Sequence, residues 1–317
     1  MTETQVPDEP VVDATRGSFK LTHVAEQNIE RQAFILDQMA SRPAVKALKT
    51  WALQQLAPAP GETAVDVGSG TGEDVVTFAE LIGPDGHAIG VEPNPGLRAE
   101  ATRRAESTRG SESTRGSDAP REAEAARGSD AAREAEAVRR SAGAQVEYLE
   151  GHAEALPFAD ESVDVLRCER VLQHVDNPAA VVQEMTRVLR PGGRIALIDT
   201  DWATAIIHPA DPDVLQRMVG YFLSESANPF SGRQLRGLLA QAGLEITGET
   251  ASTWIEAQEG ARQGFIAMMH LTAAQAGVIT PAEADAFSRS LNEAADRGAF
   301  HMSLTMYAVS ALKPRAV

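Results

Sequence analysis

The stretch VDVGSGTGED, from Val65 to Asp74, sets an acid, Asp66, in an apolar run and then places Gly68, Gly70 and Gly72 at every second position. A helix-forming run, EDVVTFAELI, comes next. This is a strand entering a tight turn and leaving as a helix. Glycines at such a turn can hold φ > 0 and leave bare main chain for a ligand to lie against. The helix start beyond them offers unpaired N–H groups. A second apolar run, HAIGVE, ends in Glu92, about twenty residues past the turn, where a carboxylate can accept both hydroxyls of a ribose. The chemistry on offer is recognition of an adenosine-containing ligand at the end of a first parallel strand. The spacing is G-x-G-x-G, unlike the G-x-G-x-x-G of dinucleotide enzymes, and no Lys-Ser/Thr pair follows as a P-loop requires.

A second ordered block runs from Glu154 to Trp202: EALPFADESVDVLRCERVLQHVDNPAAVVQEMTRVLRPGGRIALIDTDW. Together with the glycine turn it resembles the class I S-adenosylmethionine-dependent methyltransferases, and within them the small-molecule branch that includes the ubiquinone and menaquinone C-methyltransferases. The resemblance covers roughly 53–202 and rests on several ordered motifs, which makes it more specific than a single glycine loop. It implies an α/β, doubly wound, Rossmann-like seven-stranded sheet, mostly parallel with the last strand antiparallel. N-terminal helices and later helical additions would form a lid. The implied cofactor is S-adenosyl-L-methionine. By the same resemblance Asp66 and the backbone around Gly68, Gly70 and Gly72 hold its methionine part. Glu92 binds the ribose, with Pro93 and Asn94 beside the adenine. His152, Ala153 and Glu154 face the adenine edge, and Glu169 and Arg170 line the methionyl end.

One position departs from the pattern. The family usually carries Asp where His152 stands. A carboxylate accepts from the adenine amino group, whereas an imidazole accepts only while neutral. The expectation is that His152 contacts adenine and that cofactor affinity falls at acidic pH.

Methyl transfer from a sulfonium needs alignment and exclusion of water, and needs a base only when the nucleophile must lose a proton. The candidate catalytic residues are His174, just past the fourth strand, and Asp201, at the end of the fifth, with Glu169 and Asp199 close by in sequence. Trp202 is a candidate wall for an apolar acceptor. The acceptor itself is not readable. A small molecule is the leading reading; a cofactor-binding protein that transfers nothing, and an enzyme acting on protein or RNA, stay open.

The elements that must position these residues follow the apolar pattern. Residues 1–17 read as a disordered, acid- and Pro-rich tail. Residues 18–56 read as an N-terminal helical lid in which Pro43 begins a new helix. The cofactor core is 57–202, with strands at Ala64–Val67, HAIGVE, QVEYLEG, ESVDVLRCE and RIALIDTDW. A helix opens near Asn177-Pro178 and closes before Pro191. Residues 106–141 are tandem repeats, ESTRGS twice and then DAPREAEAARGS and DAAREAEAVRRS, too poor in large apolar residues to be a core. They read as an exposed, partly helical insertion whose length a surface loop tolerates. Residues 203–317 read as acceptor-pocket helices and closing strands. Within them 203–230 appear as short pieces, and LEITGETAST and HMSLTMYAVSALK as an antiparallel pair.

Composition narrows the class. The chain has 317 residues, a formal net charge of −16 and one cysteine, Cys168. A charge this negative repels phosphate backbones and argues against nucleic acid as a general partner. There is no run of eighteen apolar residues, so no membrane span is expected. A single cysteine excludes a disulfide framework and a Cys-rich metal site, and its absence of pairing fits a reducing cytoplasm. No metal-ligand spacing stands out, and the oligomeric state is not readable.

Overall fold

Short apolar runs bounded by Gly, Pro and Asp become five strands: β1 (Thr63–Val67), β2 (His87–Val91), β3 (Gln145–Leu149), β4 (Val163–Glu169) and β5 (Leu189–His208). Two later runs become β6 (Glu245–Ile255) and β7 (His301–Leu312). The helices are α1 (Ile29–Ser41), α2 (Pro43–Leu56), α3 (Glu73–Ile82), α4 (Pro95–Arg115), α5 (Pro178–Val188), α6 (Pro212–Glu225), α7 (Ser231–Gln241), α8 (Gly264–Gln275) and α9 (Pro281–Asp296). The computed structural model describes residues 29–115, 145–262 and 264–315. The expected tail over 1–17, the first part of the expected lid and most of the repeat insertion lie outside them. The described start of that insertion, through Arg115, continues α4.

The seven strands form one sheet in the order β3-β2-β1-β4-β5-β7-β6. β1 pairs in parallel with β2 and β4, β2 with β3, and β4 with β5, while β6 and β7 are antiparallel. This is the expected seven-stranded, mostly parallel sheet. Side chains alternate between its faces. Val65, Val67, Leu166, Ile195 and Leu197 pack on one face against Val181, Met185 and Val188 of α5 and Leu235 and Leu239 of α7. Ala64, Ala88, Val165 and Ala196 line the other, where small side chains admit Phe78 and Ile82 of α3 and Leu48, Ala52 and Leu56 of α2. A parallel sheet covered on both faces buries both side-chain sets, which is why these strands read as nearly continuous apolar runs.

The stretch after Trp202 differs from expectation. β5 runs on to His208, and a single helix, α6, fills most of the rest. The strand continues because β7 supplies a partner distant in sequence: the Thr305 amide donates to Thr204 Oγ1 (2.9 Å). α6 forms because Asp211 caps it, its carboxylate accepting from the Asp213 and Val214 amides at 3.0 and 3.1 Å, with Pro212 at the first helical position.

The chain divides into two compact units. Among the described residues the larger comprises most of the sheet with α1–α5 and α7, through residues 29–115, 145–205, 227–255 and 303–315. Among the described residues the smaller comprises 206–226 and 256–302. Its core is Val214 and Met218 of α6 with Ala273, Ile279, Phe287 and Leu291. A capping box at Thr280 and Glu283 starts α9, and Arg217 of α6 pairs with the same Glu283 (2.5 Å). Among the described residues no helix is long and apolar enough to cross a membrane.

Candidate active site at the sheet switch point

The chain builds the sheet outward from β1 through β2 to β3, then returns beside β1 as β4 and continues to β5. The strand order reverses between β1 and β4. Their carboxyl ends flank the crevice in which open α/β sheets take ligands. Asp66, Gly68, Gly70 and Gly72 lie at the end of β1, and Glu169 and Arg170 at the end of β4.

The three glycines have different reasons to be glycine. All have positive φ: +74° at Gly68, +52° at Gly70 and +80° at Gly72. A Cβ at Gly68 would collide with Val171, just past β4, and one at Gly72 with the Tyr148 hydroxyl of β3. Those two spaces are filled by protein. At Gly70 the only neighbour within reach is Leu36 Cδ1 of α1, 3.2 Å from the would-be Cβ. Of the three, Gly70 is the one whose α-carbon is bordered by a single side-chain methyl among the described residues.

Glu92, just past β2, ties that turn to the next loop. Its carboxylate accepts from the Gly70 amide at 3.1 Å and from the Asn94 amide at 3.0 Å. Each oxygen keeps a second lone pair for a hydroxyl. Burial raises the Glu92 pKa above the usual carboxylate range, while the two amides and Arg98 oppose the shift. Arg98 donates to the Glu92 and Pro93 carbonyls at 2.7 and 2.9 Å. Asn94 Oδ1 accepts from the Gly96 amide (2.9 Å) at the start of α4, and Asn94 Nδ2 donates to Gln32 of α1 (3.2 Å). A glycine cradle, a carboxylate with spare lone pairs and a clamped loop are donors and acceptors that fit an adenosyl group.

His152 and Glu154 are exposed and Ala153 is buried, in a tight turn where the Ala155 amide donates to the His152 carbonyl (3.0 Å). A cationic His152 lies close enough to Glu92 to act on its charge. Affinity for S-adenosylmethionine is expected to fall in His152→Ala, read by calorimetric titration beside wild type; equal affinity in the two proteins contradicts a contact between His152 and the ligand.

A buried charge cluster lies under the turn. Asp66 and Arg167 are register partners on β1 and β4, so their side chains share the α2/α3 face of the sheet. Arg167, 4% exposed, meets Asp74 of α3 at 2.5 Å and Asp66 at 3.6 Å, and also pairs with Glu169. Lys49 of α2 bridges Asp74 (2.8 Å) and Glu73 (3.1 Å), and Arg170 holds Glu169 at 3.0 Å. The sequence reading missed Arg167, Asp74 and Lys49. A signal existed for the first: an arginine at an inward position of a buried parallel strand is rare unless paired.

The candidate catalytic residues lie past β4 and along β5. Burial, helped by Arg170, pushes His174 down to about 4, so its imidazole is neutral near pH 7 and weakly basic. Asp201 is ion-paired with Arg233 of α7 through both carboxylate oxygens. Asp199, 1% exposed, accepts from the Gln173 and Thr200 amides at 3.1 and 2.7 Å, and burial pushes it up to about 7. Gln173, also missed, orients Trp202 by accepting from its indole N–H at 2.7 Å.

Asp199 gives a stability prediction. Its folded pKa, about 7, exceeds the ordinary 3.8, so its stabilising contribution is complete below 3.8 and lost as pH rises through about 7. Asp199→Asn cannot ionise. Its thermal stability relative to wild type should rise between about pH 4 and 7 and then level off. A pH-independent difference in melting temperature contradicts this.

With this geometry in place, the comparisons with known proteins are informative. A family profile described as "Methyltransferase domain" matches residues 118–197, and one for protein-L-isoaspartate(D-aspartate) O-methyltransferase matches residues 10–116. An uncharacterized 37.1 kDa protein of transposon TN4556 from Streptomyces fradiae is 30% identical over 224 residues, 70% of this chain and 55% of that one. Demethylmenaquinone methyltransferase of Bacillus cereus is 24% identical over 238 residues, 70% of this chain and 86% of that one. The crystal structure of a Bacillus halodurans protein described as a methyltransferase superposes with TM-score 0.54 at 17% identity, covering 84% of this chain and 99% of that one; this likeness is one of fold. The chain spans 55%, 39% and 63% of the lengths of three curated relatives it matches. In family profile and in fold the chain is similar to the class I S-adenosylmethionine-dependent methyltransferases. Within that family it resembles the ubiquinone and menaquinone C-methyltransferases.

Proposed function

We propose that the chain transfers a methyl group from S-adenosylmethionine to a small-molecule acceptor. The observation that carries the reading is the junction at the switch point, where the Glu92 carboxylate accepts from the amide of Gly70, whose α-carbon is bordered among the described residues by a single methyl of Leu36. When bound, S-adenosylmethionine supplies an activated methyl carbon together with its leaving group. The protein's part is to bind and orient. Glu92 accepts from the ribose hydroxyls, the Gly68–Gly70 backbone and Asp66 hold the amino-acid end, and Pro93, Asn94 and the turn at His152–Glu154 border the adenine. Glu169 and Arg170 line the methionyl end. α1 acts as a cover, since Leu36 approaches Gly70 and Gln32 bonds Asn94.

On the acceptor side, Trp202 is a wall held by Gln173. The candidate bases among the described residues are all engaged or weak: His174 is a weak base, Asp201 is paired with Arg233, Glu169 with Arg167 and Arg170, and Asp199 is buried with both oxygens on backbone amides. The site therefore suits catalysis by alignment and exclusion of water, on an acceptor whose nucleophile needs no strong base.

Calorimetry with S-adenosylmethionine and with NAD tests the site. Release of S-adenosylhomocysteine across a panel of small acceptors, including quinols, then tests transfer. Binding of NAD in place of S-adenosylmethionine overturns the reading. Cofactor binding with no turnover on any small acceptor, but turnover on protein or RNA, overturns the acceptor class.

A further inference from the structure

Arg167 is the most deeply placed cation of the cluster under the glycine turn. Three carboxylates meet it, from β1, α3 and β4, while its Nε has no hydrogen-bond acceptor among the described residues. A buried ion pair contributes little net stability against an apolar replacement, and an unsatisfied buried donor subtracts from that. Stability alone does not account for an arginine at this strand position.

Asp66 has almost no exposure and two further carboxylates, Asp74 and Glu169, beside it. Burial, with those charges, pushes Asp66 up to about 7; Arg167, and more weakly Lys49, oppose a further rise. Asp74 is already satisfied by Lys49 at 2.8 Å and Glu169 by Arg170 at 3.0 Å. Asp66 has only Arg167 as a cationic partner within ion-pair distance among the described residues.

We propose that Arg167 is a positioning residue that holds the Asp66 carboxylate in place for the ammonium of the cofactor's amino-acid end. This rests on the reading of the crevice as an S-adenosylmethionine site. Arg167 touches no ligand in this scheme and acts through Asp66. Its loss should therefore weaken ligands that carry the amino-acid end and spare those that lack it.

The test is calorimetry on the full chain with S-adenosylmethionine and with 5′-methylthioadenosine, which keeps the adenosyl group and lacks the amino-acid end. Arg167→Met should lose about tenfold or more in affinity for S-adenosylmethionine and less than about twofold for methylthioadenosine. Arg167→Lys, which restores a cation, should recover most of the loss. In an Asp66→Asn background Arg167→Met should cost less than about twofold more, because the group it serves is gone. Equal losses for both ligands, or an undiminished loss in the Asp66→Asn background, overturn the proposal and leave Arg167 a packing element. If Arg167→Met does not fold, Asp66→Asn and Arg167→Lys decide: the first must lose S-adenosylmethionine selectively and the second must keep it. Wild-type protein that binds neither ligand overturns the site reading itself, a separate outcome.

Discussion

Gly70→Val protein should fold and fail to bind S-adenosylmethionine. Valine at φ +52° occupies a backbone region that β-branched residues rarely adopt, at a cost of about 1–3 kcal/mol. Its Cβ would stand 3.2 Å from Leu36 Cδ1, and its two methyl groups would fill the remaining space. Relief of that strain turns the Gly70 amide away from the Glu92 carboxylate, now 3.1 Å distant. Ser69 and Thr71 on either side are themselves buried, so some stability is lost along with the ligand surface. Affinity should drop by more than about 100-fold, roughly 2.7 kcal/mol. Gly70→Ala, with no γ branches, should fall between valine and wild type. Calorimetry with circular dichroism as the control for folding reads the result, and a valine variant that binds within about tenfold of wild type contradicts the placement of the site.

The second large effect is expected at Glu92. Glu92→Ala removes the acceptor for two amides and, in the proposed complex, for the ribose hydroxyls. Each unsatisfied amide costs about 1–3 kcal/mol, and each hydrogen bond to a charged group contributes about 1.5–3 kcal/mol. Removing a carboxylate that burial already penalises offsets part of the stability cost. Affinity carries the clearer signal, with a loss of about 100-fold. Glu92→Gln separates the two roles. It keeps an acceptor oxygen for one of the two amides, sets an NH2 donor against the other and removes the charge, so it should lose about 1–3 kcal/mol of stability and about tenfold in affinity. Unchanged binding in both variants would show that the carboxylate serves only to brace the turn.

Much of the site was legible because its parts are short and local. The glycine turn, the acid after the second strand and the proline-opened helices each declare themselves over a few residues, through allowed φ values and side-chain periodicity. The spacing of apolar runs separated five parallel strands and an antiparallel pair. Where local pattern failed, a distant partner was responsible. Residues 203–208 looked irregular, yet they form a strand because β7 inserts beside β5. Asp201 looked available, yet Arg233 holds it.

The distinction reaches furthest at the glycines and the charges. Order and identity of residues along the chain were enough to expect a strand, a glycine turn and a helix of the kind that can take an adenosyl group, since the conformations glycine permits are a property of the residue itself. Which glycine faces a ligand, and which merely makes room for Val171 or Tyr148, depended on how the strands line up. The meeting of Asp66 and Arg167 came from the pairing register of β1 and β4, which sets two remote side chains on one face. Register is fixed by packing across the whole sheet, and a slip of one residue would have sent that arginine to the opposite side.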